Sequence, residues 1–440
     1  MRLNKYFITL LFLASGILAQ AQQDSVITLQ QCLDVAIKNN LQVKQASVTA
    51  EEAHIGFNQA KDNLIPSITG GANRNLTSGR ALNPVTNTYI TQSVTSDNYN
   101  LSGSVTVFNG LALQSAIKQT SLAYQSGKMA YQAAKDLVTV NVITNYLLVL
   151  DAKELLGQSE SQLVVAKENL DIASTKENYG ANTTASTFSD LKGAYATSKV
   201  NVVQGENSLE SAKLSLFQIM NIPYNKNIQL QPLSAQELVG DKGVNAEQVY
   251  ETALQQLAEV KAATLMRKSA EKGVQYARGL LYPSLFLAGG IGTNYSNLNT
   301  QSYYSQFRNN YGTDVEIGLN IPIFTNHLKK NAVALAKLNL LNYQYIEDNT
   351  KVQVQQSVET AWNNMTSAYK RYQALKDEAD AFTESYRVQK IRFDAGVITS
   401  DLFLLAKNNM DGAELNLIAA RYDYLIYSKI LDYYQGKLTQ

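Results

Sequence analysis

Leu64-Ile65-Pro66-Ser67 recurs 217 residues later as Leu281-Tyr282-Pro283-Ser284, and the stretch before it recurs as well. At that offset Ala36 meets Ala253, Val43 meets Val260, Lys44 meets Lys261, Ala46 meets Ala263, Ala53 meets Ala270 and Gly56 meets Gly273. Ala60-Lys61 then meets Ala277-Arg278. In both copies a helical pattern runs into a proline that ends it. A repeat of this size is a duplicated architecture, and it points to a quasi-symmetric assembly more than to a single catalytic cleft. The expected organisation is a signal segment over 1–21, a first repeat over 22–220, a connector over 221–245 and a second repeat over 246–440.

Upstream of the first copy, Arg2 and Lys5 precede an apolar run from Phe7 to Leu18 and an Ala19-Gln20-Ala21 cleavage pattern. The run is shorter than the ~20 residues a membrane helix needs, so it reads as a secretory signal cut after Ala21. Removing Arg2 and Lys5 leaves 36 basic and 37 acidic residues, a balance with no basic face for nucleic acid. The single cysteine, Cys32, can form no internal disulfide and lies too far from the cleavage site for a lipid anchor. It reads as a small apolar residue on a helix. No later run of ~18 apolar residues marks a membrane helix. With only 17% charged residues, an exported chain of this kind raises the possibility of spanning a membrane as β-strands.

Downstream, the six prolines mark where long helices can lie, because an interior proline costs a helix ~3 kcal/mol. Two proline-free stretches, about Leu111 to Asn178 and His327 to Arg392, carry Ala, Leu, Val and Tyr at three- and four-residue spacing. Each would span about 100 Å. They end at Tyr179-Gly180-Ala181-Asn182 and Phe393-Asp394-Ala395-Gly396, where Gly or Asn suits a left-handed helix end. Ser186 and Ser400 stand where caps would start return helices, running to about Met220 and Tyr434. Helices over Leu29–Asn63 and Glu247–Leu280 would stack on the return helices and match the long ones in length.

Between short and long helix each copy carries two strand-like segments. Tyr311 to Ile323 alternates most clearly, with Val315, Ile317, Leu319 and Ile321 against Asp314, Glu316, Gly318 and Asn320. Tyr99, Leu101, Val105 and Val107 form one face of a second, and Leu285, Leu287 and Ile291 one face of a third. Ser67 to Leu76 alternates poorly. Period two over ~9–11 residues, apolar against neutral-polar, is the transmembrane β-barrel pattern. The alternative is a hairpin packed on a soluble core. Thr77–Asn98 and Ser296–Asn310 read as external loops beside an interfacial aromatic band, and 221–245 as irregular. Four strands close no barrel, since closure takes ~8 or more, so chains must share one; eight, twelve and sixteen strands all remain open.

The chain resembles the outer membrane efflux protein family, the TolC-like channels, over essentially all of the mature sequence. The resemblance rests on the repeat, the Leu-x-Pro-Ser junctions and the strand exits Val107-Phe108-Asn109-Gly110 and Ile323-Phe324-Thr325-Asn326. It rests also on the tip pattern Arg392-Phe393-x-Ala395-Gly396-x-x-x-Ser400-Asp401-Leu402. It implies an α+β membrane protein, in which long helical hairpins form a periplasmic α-barrel. Four strands per chain would contribute to a shared twelve-stranded transmembrane β-barrel in a homotrimer, with a mixed equatorial belt. It further implies a passive exit duct in the outer membrane lipid, driven by an inner-membrane transporter and gripped at its tips by a periplasmic adaptor. The adaptor contacts would be Tyr179, Gly180, Asn182, Phe393, Ala395, Gly396 and Ser400. The gate would draw on Asp190, Asp394 and Asp401, with Lys390 and Arg392 either bridging neighbouring hairpins or, as is commoner for such charges, solvated. An acidic ring would favour cations, although Leu405 stands where a further acid is expected and each aspartate also suits helix capping.

Enzymatic chemistry finds little footing. The two histidines, His54 and His327, sit in different copies without metal-site spacing. Gly127-Lys128 and Gly436-Lys437 lack the first glycine of a phosphate loop, with Leu122 and Leu431 in its place. Gly289-Gly290-Ile291-Gly292 reads as small residues on a strand, not a dinucleotide fingerprint, and Trp362 as a packing residue. No cofactor is expected. The rival to a channel is a periplasmic structural or adaptor protein of long helical hairpins; a hydrolase would need a constellation the chain lacks.

Overall fold

A computed structural model describes residues 26–83, 86–178, 185–232 and 243–437. The expected signal segment and its cleavage site lie outside them. Two compact units arise: one of residues up to Gln45 with Ala133–Leu257 and Val354–Gln440, the other of Ala46–Gln132 with Ala258–Gln353.

The order of elements is duplicated. A strand β1 (Val26–Ile27) and helices α1 (Leu29–Asn39) and α2 (Leu41–Asp62) precede β2 (Ser67–Thr77), β3 (Arg80–Leu82), β4 (Tyr89–Thr91) and β5 (Val94–Phe108). Helix α3 (Ala112–Asn178) and the return helix α4 (Ala185–Met220) complete the first series. After β6 (Gln229–Leu230) come α5 (Ala246–Gln256), α6 (Ala258–Gly279), β7 (Ser284–Ser296), α7 (Tyr303–Asn309) and β8 (Gly312–Asn320). Helices α8 (Leu328–Asp394) and α9 (Ser400–Tyr434) close the chain. Helices α3 and α8 are each 67 residues long.

The short helices are not continuous, contrary to the expectation over 29–63 and 247–280. Asn40 breaks the first with extended backbone (φ −60°, ψ 128°), and Leu257, 217 residues on, breaks the second in the same conformation. Asn40 holds both sides of its break. Its N–H closes α1 on the Ala36 carbonyl, while its Oδ1 accepts from the Gln42 N–H at 2.9 Å. The amide Nδ2 donates to the Ile219 carbonyl at 3.2 Å, and Asn221 Nδ2 donates to the Asn39 carbonyl at 3.3 Å. The start of α2 therefore meets the end of α4, the stacking that the helix lengths require.

In the first unit, α3 packs on α9 through Ile143, Leu147, Leu425 and Ile426, with Leu29 and Leu33 of α1 beside them. By length and composition α3 holds a stretch apolar enough to cross a bilayer. Val138, Val142, Tyr146 and Val149 of that helix are instead buried inside the protein. The expected irregular connector contains β6, which pairs in parallel with β1. The Tyr146 hydroxyl reaches the Gln231 carbonyl at 2.8 Å and that of Ile27 at 3.3 Å, fixing the pair to α3. Trp362 does more than pack, since its Nε1 donates to the Val244 carbonyl at 2.7 Å. Cys32 is buried on α1, as a small apolar residue would be.

The second unit holds an antiparallel sheet in the order β2-β5-β7-β8. Strand β5 begins at Val94, so the first expected loop is shortened and contains the β3–β4 hairpin; the second contains α7. Strand β8 ends at Asn320 because Pro322 follows and cannot donate to a ladder, which leaves Ile321 beyond the strand. Poor alternation in β2 belongs to an edge strand. The turn from β5 into α3 is left-handed at Gly110 (φ 65°), and a Cβ there would lie 2.3 Å from the Gly279 carbonyl oxygen. Gly110→Ala is therefore expected to lower stability by about 1–3 kcal/mol or more, through backbone strain and overpacking together. Thermal unfolding by circular dichroism in detergent checks this; an unchanged midpoint would contradict the contact.

Candidate functional site: the sheet faces and the hairpin tip

Paired residues of an antiparallel sheet point to the same side. Leu101 pairs with Ile291, Val105 with Leu287, Leu287 with Ile317, Leu285 with Leu319, and Gly289 with Val315. Tyr99, opposite Thr293, shares that face. One correction falls at a bulge. Phe108, not Val107, takes the place opposite Leu285, because the register shifts between Thr106 and Phe108. The aliphatic face is open, with Val315 81% and Ile317 73% exposed. On the other side stand Asn100, Ser102, Ser104, Asp314, Glu316 and Asn320. Gly290 leaves the space that the Asp314 carboxylate enters, in keeping with a strand role for the glycine run. In the order β2-β5-β7-β8 the outer edges of β2 and β8 pair with no strand among the described residues.

The second candidate lies where α8 turns into α9, in the first unit. Gly396 (φ 74°) donates to the Phe393 carbonyl and Val397 to that of Arg392, both at 2.9 Å, the two bonds of a Schellman helix end. Phe403, fully buried, stacks on Phe393 at 4.5 Å and packs with Leu191 and Ala173 from the other hairpin. Thr399, not Ser400, is the residue before the first turn of α9, and α4 already includes Ser186. Buried Ser400 instead donates to Asp190 Oδ2 at 2.8 Å and ties the hairpins together.

The other charged residues divide. Lys390 pairs with Asp394 at 3.2 Å and Arg392 donates to Gln389 at 3.3 Å, both within α8. Asp401 is exposed in the first turn of α9. The Thr399 hydroxyl and the backbone N–H groups of the turn hold its carboxyl below the usual carboxylate range. Tyr179, Gly180 and Asn182 lie outside the described residues.

Sequence reasoning missed a polar seam between α3 and α9. Glu154 accepts from Tyr422 at 2.9 Å and from Arg421, Gln158 donates to Glu414, and Gln162 donates to the Asp411 carbonyl at 3.3 Å, while buried Lys407 pairs with Asp411 within α9. Asp151 sits one turn before Glu154, and its Oδ1 is enclosed without a hydrogen bond. Burial first, then the Asp423 and Glu154 carboxylates, pushes its carboxyl up to about 6 against the pull of Arg421. The signal was available as polar residues at helical spacing, Asp151, Glu154, Gln158 and Gln162, within an apolar helix.

A sheet of this kind joined to paired helical hairpins is the fold of outer membrane channels, a helical barrel with a β-barrel. Comparison with known proteins supports this directly. The chain matches the Outer membrane efflux protein family over residues 32–221 and 249–436. The outer membrane protein TolC of Escherichia coli strain K12 is 23% identical over 408 residues, 90% of this chain and 80% of that protein. Outer membrane efflux protein BepC of Brucella suis is 22% identical over 430 residues, 97% of this chain and 89% of that protein. Among solved structures, the Campylobacter jejuni CmeC outer membrane channel superposes with a TM-score of 0.78 at 18% identity, covering 94% of this chain and 87% of that one. The chain belongs to the outer membrane efflux protein family. It is an outer membrane protein that extends into the periplasm, which sets aside the periplasmic adaptor as a rival.

Two measurements probe the hairpins. Phe403→Ala is expected to cost about 3–5 kcal/mol, seen as faster hydrogen exchange around 386–404. Asp151 has a folded pKa above its unfolded value, so its protonation favours the folded state at low pH. That contribution is lost as pH rises from about 4 through about 6. Asp151→Asn should flatten the stability profile in that window; a profile with the same slope would place the titration elsewhere.

Proposed function

We propose that the chain is the exit duct of a tripartite efflux or type I secretion system. Substrates pass through it from an inner-membrane pump and a periplasmic adaptor to the exterior, and the duct itself supplies no chemistry and holds no cofactor. The observation that carries this is the four-stranded sheet, with one open aliphatic face and two unpaired edges. In hydrocarbon an unpaired backbone group costs several kcal/mol, so the edges of β2 and β8 call for neighbouring copies. Three copies give a closed twelve-stranded barrel in the family's manner. Tyr99, Leu101, Val105, Leu285, Leu287, Ile291, Val315, Ile317 and Leu319 then meet lipid, while Asp314 and Glu316 line the lumen.

At the turn between α8 and α9, Ala395 and Gly396 face the adaptor, and Phe393 and Ser400 hold that turn rigid beneath them. Of the candidate gate residues, Asp190 is engaged by Ser400 and Asp394 by Lys390. Asp401, exposed in the first turn of α9 and kept ionised by the Thr399 hydroxyl and the N–H groups of the turn, forms the acidic ring, which favours cations.

Electron microscopy of detergent-extracted protein tests the assembly: threefold hollow particles with a detergent belt support it, and solid rods without a belt reject it. In planar bilayers, Asp401→Ala should weaken block by a multivalent cation added from the tip side. Unchanged block would locate the constriction elsewhere.

A further inference from the structure

The segment after β7 does not stand off the end of the sheet. Thr293 Oγ1 donates to the Phe307 carbonyl at 2.6 Å, and the Tyr99 and Tyr303 hydroxyls meet at 2.6 Å. Tyr295 lies 4.7 Å from Tyr303, and Phe307 meets the Tyr99 ring edge to face at 5.7 Å. Tyr99 is paired with Thr293 and Asp97 with Tyr295, so all these contacts lie on the face that carries Leu101 and Ile291. Helix α7 has folded back over the aliphatic side.

It is firmly held there. Gln306, 1% exposed, accepts from the Ser296 N–H at 2.9 Å and donates to the carbonyls of Ser296 and Gln301 at 3.1 and 2.8 Å. Asn310 Nδ2 donates to the Asn294 carbonyl at 2.8 Å. Beside it, buried Asp97 is clasped by Arg74 through two hydrogen bonds of 2.7 Å. Outward the segment presents Tyr304, 74% exposed, with Tyr311, Phe307, Tyr303 and the exposed Arg308. Aromatic rings pinned in the open on an aliphatic face suit a surface that is apolar below and wet above.

The height agrees. From Thr293 to Leu285 is eight residues of β7. That is about 27 Å along the strand, or roughly 20 Å once tilted by ~35–45°, against an apolar band ~25 Å tall. Exposed Phe108 and Phe324 mark the opposite limit.

We propose that α7 with Tyr303, Tyr304, Phe307 and Tyr311 is a lipid-binding platform set in the headgroup region of the outer leaflet. The rings rest at the acyl boundary and Arg308 faces lipid phosphate. It rests on the lipid-facing reading of the strands, and it gives the external loop with its aromatic band, expected over 296–310, a definite form: a short helix folded onto the aliphatic face.

Tryptophan depth tests it. Tyr304→Trp and, separately, Ile317→Trp are reconstituted into phosphatidylcholine vesicles with or without bromine on the acyl chains near the ester. The signal of Trp362, the sole native tryptophan, is measured on unsubstituted protein and subtracted. Tyr304→Trp should be blue-shifted, lose most of its emission to brominated lipid and resist aqueous iodide. Adding Gln306→Ala should reverse that pattern. Iodide quenching of Tyr304→Trp beside lipid quenching of Ile317→Trp would overturn the platform and leave the lipid face standing. Iodide quenching of both would overturn both. Shielding of Tyr304→Trp from lipid and iodide alike would assign the rings to contact with another copy and overturn the proposal.

Discussion

Unsatisfied backbone at a sheet edge is the constraint on which the rest depends. Strands β5 and β7 each have two neighbours, whereas β2 and β8 have one among the described residues. In water such an edge is a liability; in hydrocarbon it cannot persist. On the proposed reading as a duct, a chain that places four strands in the membrane closes its edges with neighbouring copies. Both long helices are 67 residues long, as a duplicated architecture calls for.

The helical unit answers a different demand. An apolar seam along α3 and α9 would bind the helices firmly and in many registers, because aliphatic packing is weakly directional. Glu154, Gln158 and Gln162 of α3 interrupt that seam with hydrogen bonds to Tyr422, Glu414 and the Asp411 carbonyl of α9 that have one geometry. Burying such groups costs more than burying leucine, and what they return is register. Asp151 is the surplus member, with its Oδ1 enclosed and without a hydrogen bond.

How far the sequence is legible follows the range of each interaction. Long helices, the glycine at position 396 and the strand faces were readable because periodicity and a left-handed helix end are local. The bulge at Val107 was not, since alternation continues through it and only pairing with Leu285 reveals the shift. Ser400 looks like a cap, and its partner Asp190 is 210 residues away. Over 296–310 the aromatic content was legible, but the helix α7 and its folding back onto Tyr99 and Thr293 were not, because those contacts join residues far apart in the chain or across a turn. Leu-x-Pro-Ser announced the ends of α2 and α6, while the breaks at Asn40 and Leu257 share no residue type.

Those two breaks show what duplication preserves. Both lie at the same place in the repeat, and both are extended. One is held by an amide that caps the next helix, the other by an aliphatic side chain buried to 4% exposure. The turns into the long helices behave alike: Gly110 and His327, again 217 apart, have φ of 65° and 61°. Glycine is needed at the first because the Gly279 carbonyl crowds it, and histidine is accepted at the second. The two copies thus agree in backbone direction at these points and differ in residue type. The same break between helices is held by different side chains in the two copies, an amide in one and an aliphatic group in the other.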